Sequence, residues 1–333
     1  MYFGLSEDQI FFQDNVKKFL EDNAPLDAVK KITEGEDLST KDELHQGLIN
    51  LGINNILIPE ENGGLGLDLL FASAVSQSLG EGIATLPFVG PYVIAPIAIK
   101  YGASDSQKEK LFNEMSQNLI NCGVGFSEYF GSRDSSDLSI SNNKITGRTL
   151  FVLDVDFASH VMLCDKKGQI GLVSLESKGI EIIDLTTVDK TRTYKEMIFK
   201  DTPIEILDKT KTSTEAAEMA LSAGRIVAAA DSLGASQAMI NKAVEYSKER
   251  KQFNRVIGSF QAVKHMCAEM TAELEPCYSL VWHAAHSFDD SHEDSKLMAC
   301  LAKSHTSEVS KMVSKKATEV HGGMGFTDLL GLH

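Results

Sequence analysis

The spacing of apolar residues predicts two helical regions on either side of a β-rich one. In residues 1–118, apolar residues recur three and four positions apart, as at Val16, Phe19 and Leu20, which is the period of an amphipathic helix. Ser6 is followed by two acidic residues, which is typical of an N-cap at the start of such a helix. The pattern predicts an N-terminal all-α domain over residues 1–118.

The hydrophobic period changes near residue 119, where short apolar segments begin. They are separated by turn-forming sequences such as Asn142-Asn143, which is typical of consecutive strands. The segments begin at Val124, Leu138, Leu150, His160, Ile170, Ile180 and Tyr194. Strands in this order without helices between them predict a middle β-barrel or β-sandwich domain over residues 119–208.

Helical periodicity returns after the polar linker of residues 209–214. Four helices are predicted, at about residues 215–249, 257–285 and 293–319, with a shorter one past Phe326. This arrangement predicts a C-terminal four-helix bundle over residues 209–333. The whole chain is therefore expected to be an α+β multidomain protein.

Composition narrows the partners that this chain can have. A formal net charge of −15 argues against nucleic acid, whose binding depends on neutralising phosphates. No apolar run reaches the length of a membrane span, and the N-terminus lacks the features of a secretory signal. The five cysteines are scattered without metal-ligand spacing, so we expect no metal site and a cytoplasmic protein with reduced thiols.

A basic cluster interrupts this acidic chain between two predicted helices. Arg250, Lys251 and Arg255 lie in one short segment. Like charges this close repel one another, and an anion placed among them would stabilise them. The simpler alternative is a solvated helix end, where cations offset the helix dipole by a few tenths of a kcal/mol.

Two sequence motifs carry a resemblance to a known family. The first is Arg250-Lys-Gln-Phe followed by Ile257-Gly-Ser-Phe-Gln, and the second is His321-Gly-Gly-Met-Gly-Phe-Thr. In this order and at this separation, they resemble motifs of the acyl-CoA dehydrogenase family. The predicted order of helical domain, β-domain and helical bundle is also similar to that family, so the resemblance covers nearly the whole chain.

The resemblance implies FAD as cofactor, with part of its site supplied by a neighbouring subunit. In the family, the arginine of the first motif reaches the pyrophosphate of the adjacent chain's FAD, and the paired glycines of the second motif approach the cofactor closely. The residues that match these bundle contacts are Arg250, Gln252, Phe253, Phe260, Gln261, Gly322 and Gly323.

A second set of cofactor residues is implied in the β-domain. The segment from Phe126 to residue 134 is similar to the family's Thr-Glu-Pro-x-Ala-Gly-Ser-Asp loop, with Ser127 in place of the threonine as hydroxyl donor to the flavin and Ser132 in the Gly-Ser pair. The match is imperfect, because Tyr129 replaces the proline and an arginine is inserted. An ordinary polar β-turn is the alternative. The resemblance also places Phe151 and Leu153 beside the flavin.

The catalytic base is missing from the positions where the family has it. The implied reaction removes the α-proton of an acyl-CoA with a carboxylate and transfers the β-hydride to flavin N5. One branch of the family places the base directly before a retained arginine, and here Gly224 precedes Arg225. The other branch places it further along the chain than His333.

Two acidic residues are candidate substitutes for the base. Asp231 lies seven residues beyond Gly224, which is about 10.5 Å along a helix, so a capping or buried polar role is expected there. Asp328 follows the second motif and is a candidate base, the alternative being an N-cap for the last helix.

Three functions are compatible with these residues. The first is an FAD-dependent acyl-CoA dehydrogenase that passes electrons to an electron-transfer flavoprotein and whose base is unconventional or lies in residues beyond this sequence. The second is a non-catalytic subunit of a mixed oligomer, as in the short heteromeric members that act on steroid side-chain CoA esters. The third is a flavin-dependent acyl-CoA oxidase. The expected assembly is a homotetramer or an α2β2 heterotetramer, and the acyl group, fatty or steroid, stays open.

Overall fold

The computed structural model describes residues 4–131 and 137–332, apart from the side chains of Leu38 and Asp328. The N-terminal region is helical, as predicted. Its helices are α1 (Glu7–Asn23), α2 (Leu26–Thr33), α3 (Leu38–Asn50), α4 (Leu69–Glu81), α5 (Ala95–Gly102) and α6 (Asp105–Ser116). Ser6 caps α1 in a reciprocal pair: its Oγ accepts from the Gln9 N–H, and its own N–H donates to Gln9 Oε1, which satisfies two otherwise unpaired groups.

The middle region is an eight-stranded sheet. Its strands are β1 (Cys122–Gly125), β2 (Ser139–Ser141), β3 (Lys144–Leu153), β4 (His160–Cys164), β5 (Ile170–Ser174), β6 (Ile180–Asp184), β7 (Tyr194–Pro203) and β8 (Glu205–Ile206). The hydrogen-bonded order is β6-β7-β3-β1-β4-β5-β8, with β2 beside β3. Only β1 and β4 run parallel among the described neighbours. The predicted strands are confirmed, because each apolar segment coincides with one.

One hydrophobic core holds the sheet together. Met197 of β7, Ile145 of β3, Leu163 of β4 and Ile206 of β8 belong to the same buried cluster, although their strands span most of the sheet. Side chains from such distant strands share a core only when the sheet is strongly curved. The curvature agrees with the predicted barrel-like or sandwich-like domain.

The C-terminal region has three long helices in its described part. They are α7 (Glu215–Glu249), α8 (Gln261–Asp289) and α9 (Ser295–His321), and a hairpin of β9 (Lys251–Gln252) and β10 (Arg255–Val256) separates α7 from α8. The prediction of a fourth helix past Phe326 is wrong. The chain forms a 3₁₀ turn at Gly322–Phe326 and, past Phe326, a second one at Asp328–Leu330. Within the predicted segment, Gly331 has a φ of 60°, which does not fit a right-handed helix.

Internal contacts divide the chain into two compact units. One comprises Met1–Lys30, Ser73–Ala84 and Arg225–His333, and the other comprises Lys31–Ala72 and Thr85–Gly224. Helices α4 and α7 contribute residues to both units. The three-domain boundaries near residues 118 and 208 stay predictions.

Candidate cofactor and substrate site

An irregularity in β3 presents Phe151 to solvent. Thr149 pairs with Met197 and Val152 with Lys195, so β3 has one more residue than β7 over this stretch. Phe151 has a φ of 55°, and its side chain is 46% exposed. A bulge of this kind turns a side chain out of the regular alternation, and a positive φ is unfavourable for an aromatic residue. Strain of this type concentrates at ligand sites.

Side chains of the loop after β1 bind the backbone of this bulge. Ser127 Oγ donates to the Leu150 carbonyl oxygen at 2.5 Å, and the Leu150 N–H donates to Glu128 Oε1 at 3.4 Å. Ser127 is buried, and so is the neighbouring Phe126. The predicted hydroxyl donation from Ser127 to a flavin therefore requires the hydroxyl to change partner, and Phe126 can reach a cofactor only through its backbone.

Beyond Phe151, the end of β3 packs against a π-helical turn. Leu153 pairs with Val124 of β1, and Asp154 follows with a φ of 61°. Asp154 Oδ2 lies 3.0 Å from the point where a Cβ on Gly90 would be, and Gly90 belongs to the π-helix Val89–Ile94. Short π-helical turns occur frequently at functional sites.

Burial shifts the ionisation of Asp154. The carboxyl is buried, and this burial raises its pKa to about 6, although Arg192 and Lys41 act in the opposite direction. A carboxylate in a poorly solvated position holds its proton more tightly than one in water. Asp154 is thus a protonatable group directly behind the π-helix, and it was not among the predicted site residues.

A histidine and a tyrosine support the other face of this turn. His45 Nε2 lies 2.8 Å from the Tyr92 hydroxyl, and the His45 ring meets the Phe157 ring edge to face at 4.7 Å. Burial lowers the pKa of His45 to about 4, and burial together with Asp154 raises the pKa of Tyr92. Both side chains are therefore neutral at pH 7 and act as a hydrogen-bonded support.

The predicted base position, Gly224, is buried and closed by an apolar side chain. A Cβ at Gly224 would lie 2.9 Å from Ile94 Cδ1 and 3.0 Å from Ile94 Cγ1, with Val89 Cγ1 at 3.8 Å. The Ile94 side chain thus occupies the space that a longer residue at 224 would need. Arg225, the predicted supporting residue, is half-buried.

In the other unit, the basic motif forms an exposed hairpin. Phe253 and Asn254 both have positive φ, 52° and 60°, as a two-residue turn between β9 and β10 requires. Arg250 and Gln252 are exposed, and Phe253 is 86% exposed. An exposed aromatic ring at a backbone position with positive φ makes Phe253 a candidate binding residue.

Stacked side chains fix the base of the hairpin. The Arg255 guanidinium lies 3.9 Å from the centroid of the Phe260 ring, and the Phe253 and Phe260 rings are edge to face at 6.1 Å. Cation–π contacts of this kind contribute about 0.5–1 kcal/mol at exposed sites. Gln261, the first residue of α8, instead hydrogen-bonds His265 at 2.8 Å.

The glycine motif lies at the same end of the helices as the hairpin. The Tyr246 ring, one turn before Arg250, packs 4.5 Å from the His321 ring, and His321 Nδ1 lies 2.7 Å from the Ala317 carbonyl oxygen. Gly322 and Gly323 follow, both exposed, with no atom within 4 Å of an added Cβ. The structure therefore places the first residue of the glycine motif against the last turns of α7, directly before the basic motif.

Three other residues predicted or considered for the site add little to its description. Ser132 lies outside the described residues. Asp328 begins the 3₁₀ turn Asp328–Leu330, but its side chain also lies outside the described part. Asp231 lies inside α7, so it does not cap that helix.

Comparisons with known proteins identify the family. The acyl-CoA dehydrogenase N-terminal domain matches residues 6–118, and the acyl-CoA dehydrogenase C-terminal domain matches residues 214–333. The chain belongs to the acyl-CoA dehydrogenase family. It is therefore an oxidoreductase acting on acyl-CoA, in a family whose members are flavoproteins.

Individual relatives in the family are distant but span the chain. The caffeyl-CoA reductase-Etf complex subunit CarC of Acetobacterium woodii is 24% identical over 354 residues, covering 98% of this chain and 90% of the relative. Butyryl-CoA dehydrogenase from Megasphaera elsdenii has a similar structure, with a TM-score of 0.85 at 22% identity, covering 98% and 91%. The ChsE4-ChsE5 complex from Mycobacterium tuberculosis gives 0.86 at 20% identity, covering 98% and 90%.

The acyl-CoA dehydrogenase fold predicted from the motifs is thus confirmed. Among the described residues, none of the helices combines the length and apolar character of a membrane span. The structural bulge at Phe151, the buried Asp154 and the contact between Ile94 and Gly224 were not predictable from the motifs. The sequence feature most closely related to them is the pair Gly90-Pro91 inside an apolar run, in the segment that forms the π-helix.

Proposed function

We propose that this acyl-CoA dehydrogenase binds FAD and catalyses α,β-dehydrogenation of an acyl-CoA thioester. The observation that carries the proposal is the strained, half-exposed Phe151 at a bulge in β3, next to Leu150, whose backbone Ser127 and Glu128 bind. An outward aromatic ring beside polar loop groups suits the face of a flavin ring. When bound, FAD accepts the hydride that leaves the β-carbon.

The C-terminal residues Arg250, Gly322 and Gly323 fit the anionic half of an FAD that a neighbouring chain holds. Arg250 offers a guanidinium that can bind a pyrophosphate in a bidentate manner. Gly322 and Gly323 leave open space into which a Cβ would project, so a ligand backbone can approach closely. These residues would bind the phosphates and the adjoining part of the cofactor, and no metal is needed for this recognition.

The exposed hairpin favours an oligomer in which chains share cofactor sites. Phe253 is 86% exposed in the single chain, and burying such a ring against a second chain stabilises an assembly by about 1.5–3 kcal/mol. We propose a homotetramer or an α2β2 heterotetramer. The ChsE4-ChsE5 structure, a complex by its name, is a precedent for the mixed form within this fold.

Removal of the α-proton requires a carboxylate at a place other than Gly224. The glycine has no side chain, and Ile94 fills the adjacent space. In a second candidate function, the chain is the non-catalytic subunit of a mixed oligomer and a homologous chain supplies the base. Absence of a positioned base typically lowers the rate by about 10² to 10⁴.

An electron-transfer flavoprotein is the proposed electron acceptor. The relative CarC is named as a subunit of a reductase-Etf complex, and it covers nearly the whole chain. A direct reaction with oxygen is the competing possibility, and it would release hydrogen peroxide. The location of the protein in the cell is proposed to be the cytoplasm.

Anaerobic titration with a panel of acyl-CoA thioesters tests the proposal. The FAD-loaded protein is expected to lose visible flavin absorbance with at least one thioester, alone or after a homologous subunit is added. Loss of absorbance without a partner rules out the non-catalytic function. Loss only with the partner supports it. No change under either condition overturns the dehydrogenase proposal, and rapid peroxide release in air identifies an oxidase.

A further inference from the structure

The bulge that presents Phe151 depends on one buried carboxylate, Glu128, which stands at the glutamate position of the loop motif and has been given no role so far. Glu128 is 1% exposed, and its Oε1 lies 3.4 Å from both the Leu150 N–H nitrogen and Ser127 Oγ. Its Oε2 is buried and has no hydrogen-bond partner among the described residues. Burying a carboxylate oxygen without a hydrogen bond destabilises the folded chain, and the fold alone gives no reason for this cost.

The two loop side chains replace a missing strand neighbour. At a bulge the extra residue is left out of the ladder, so its backbone groups need other partners. The Ser127 hydroxyl donates to the Leu150 carbonyl oxygen, and Glu128 Oε1 accepts from the Leu150 N–H. Both backbone groups of Leu150 are therefore bound by side chains of the loop after β1. Phe151 is the next residue along the strand.

We propose that Glu128 is a positioning residue, which fixes the conformation of Leu150 and so aims Phe151 at the cofactor. This inference rests on the proposed function, because it assumes that Phe151 contacts a bound flavin. A carboxylate suits the task, since its oxygens only accept hydrogen bonds and the Leu150 N–H is a donor. The role is distinct from that of Ser127, whose hydroxyl binds the carbonyl.

The substitutions Glu128→Gln, Glu128→Asp and Glu128→Ala separate positioning from simple packing. Glutamine keeps an oxygen at the same reach, aspartate keeps the charge but is one methylene shorter, and alanine removes the acceptor. Thr149→Val is the matched control, because the Thr149 hydroxyl is also buried without a described partner but does not bind Leu150. Aspartate provides a milder test if the alanine variant does not fold.

Hydrogen exchange of the Leu150 amide in the cofactor-free protein gives the first readout. The proposal expects exchange about tenfold faster in Glu128→Asp and Glu128→Ala, which corresponds to one lost hydrogen bond. It expects near wild-type exchange in Glu128→Gln and Thr149→Val. Unchanged exchange in the aspartate variant overturns the proposal, and this result does not depend on FAD binding.

FAD affinity, measured by titration of the folded variants, gives the second readout. The proposal expects about tenfold weaker binding in Glu128→Asp, recovery in Glu128→Gln, and no further loss when Glu128→Asp is added to Phe151→Ala. Additive losses overturn the proposal, because Glu128 would then act independently of Phe151. If the wild-type chain itself binds no FAD, the proposed function fails while the exchange result still decides the role of Glu128 in the bulge.

Discussion

Ile94 lies against Gly224, with two side-chain carbons within 3.0 Å of the position that a Cβ at 224 would take. The contact joins the π-helix Val89–Ile94 to the start of α7 within one compact unit. Glycine at 224 and isoleucine at 94 are therefore complementary in size. A side chain at 224 therefore requires the Ile94 side chain to move.

Installing a base at 224 requires space as well as charge. The double substitution Gly224→Glu with Ile94→Ala removes the two obstructing carbons and adds a carboxylate. We expect reduction of bound flavin by acyl-CoA to be about 10² to 10⁴ faster than in the unmodified chain without a partner. Stopped-flow absorbance checks this rate.

Two variants control for the new base. Gly224→Gln with Ile94→Ala has nearly the same shape without the acid and should show no gain. Gly224→Glu alone should lose about 1–3 kcal/mol of stability through overpacking. Equal rates for the glutamate and glutamine pairs would contradict the assignment of Gly224 to the base position.

Arg250 should contribute to cofactor retention in the assembled oligomer. Arg250→Ala is expected to weaken FAD binding by about 1.5–3 kcal/mol, the usual range for a hydrogen bond to a charged group. Equilibrium dialysis with FAD measures the loss. Lys251→Ala, at an exposed position in the same hairpin, is the control and should change binding far less. Equal losses would mean that general charge, not the guanidinium at 250, matters.

The glycine motif offers a matched pair of substitutions. A Cβ at Gly323 meets no atom within 4 Å, whereas one at Gly325 would lie 2.6 Å from the Thr318 carbonyl oxygen. Gly323→Ala is expected to fold normally and bind FAD less tightly. Gly325→Ala is expected to lower stability by about 1–3 kcal/mol. Thermal unfolding and FAD titration of both variants check this, and unchanged affinity in Gly323→Ala would remove Gly323 from the site.

Asp154 should give the protein a pH-dependent stability cost. Burial raises the pKa of this carboxyl from 3.8 to about 6, so the folded state holds the proton more tightly than the unfolded state does. The cost is absent below pH 3.8 and complete above about pH 6. Asp154→Asn should therefore gain up to about 3 kcal/mol at neutral pH, a gain that shrinks as the pH falls through 6.

Urea unfolding between about pH 5 and pH 8 measures this effect. Asp156→Asn is the control with opposite sign. Burial acts to raise the pKa of Asp156, but the hydrogen bond and charge of Lys195 outweigh it and the pKa is lowered, so this variant should lose stability at neutral pH. A pH-independent difference for Asp154→Asn would show that its carboxyl is not perturbed.

The helices, strands and family motifs were predictable because they depend on local spacing. The capping residue Ser6, the strand beginning at His160 and the helix Glu215–Glu249 all follow from periods and turn residues within a short window. The short segment past Phe326 was predicted wrongly as a helix. Gly331 within it has a φ of 60°, which does not fit a right-handed helix.

Several features of the site depend on contacts between distant parts of the sequence. The Leu150 amide is bound by Glu128, 22 residues earlier, and Ile94 reaches Gly224 from another helix. No linear pattern encodes such a contact, because it requires the sheet and helices to be assembled first. The predicted contacts of Ser127, Leu153, Arg250 and Gly322 with FAD stay predictions.

FAD stoichiometry, measured by size-exclusion chromatography with simultaneous protein and flavin absorbance, tests the central claim most directly. The account predicts that flavin elutes with a species larger than a monomer, at one FAD per chain or per pair of chains, and that Phe253→Ala reduces both flavin content and assembly. A monomer that retains FAD, or an oligomer that binds none at saturating FAD with or without a homologous subunit, would contradict it.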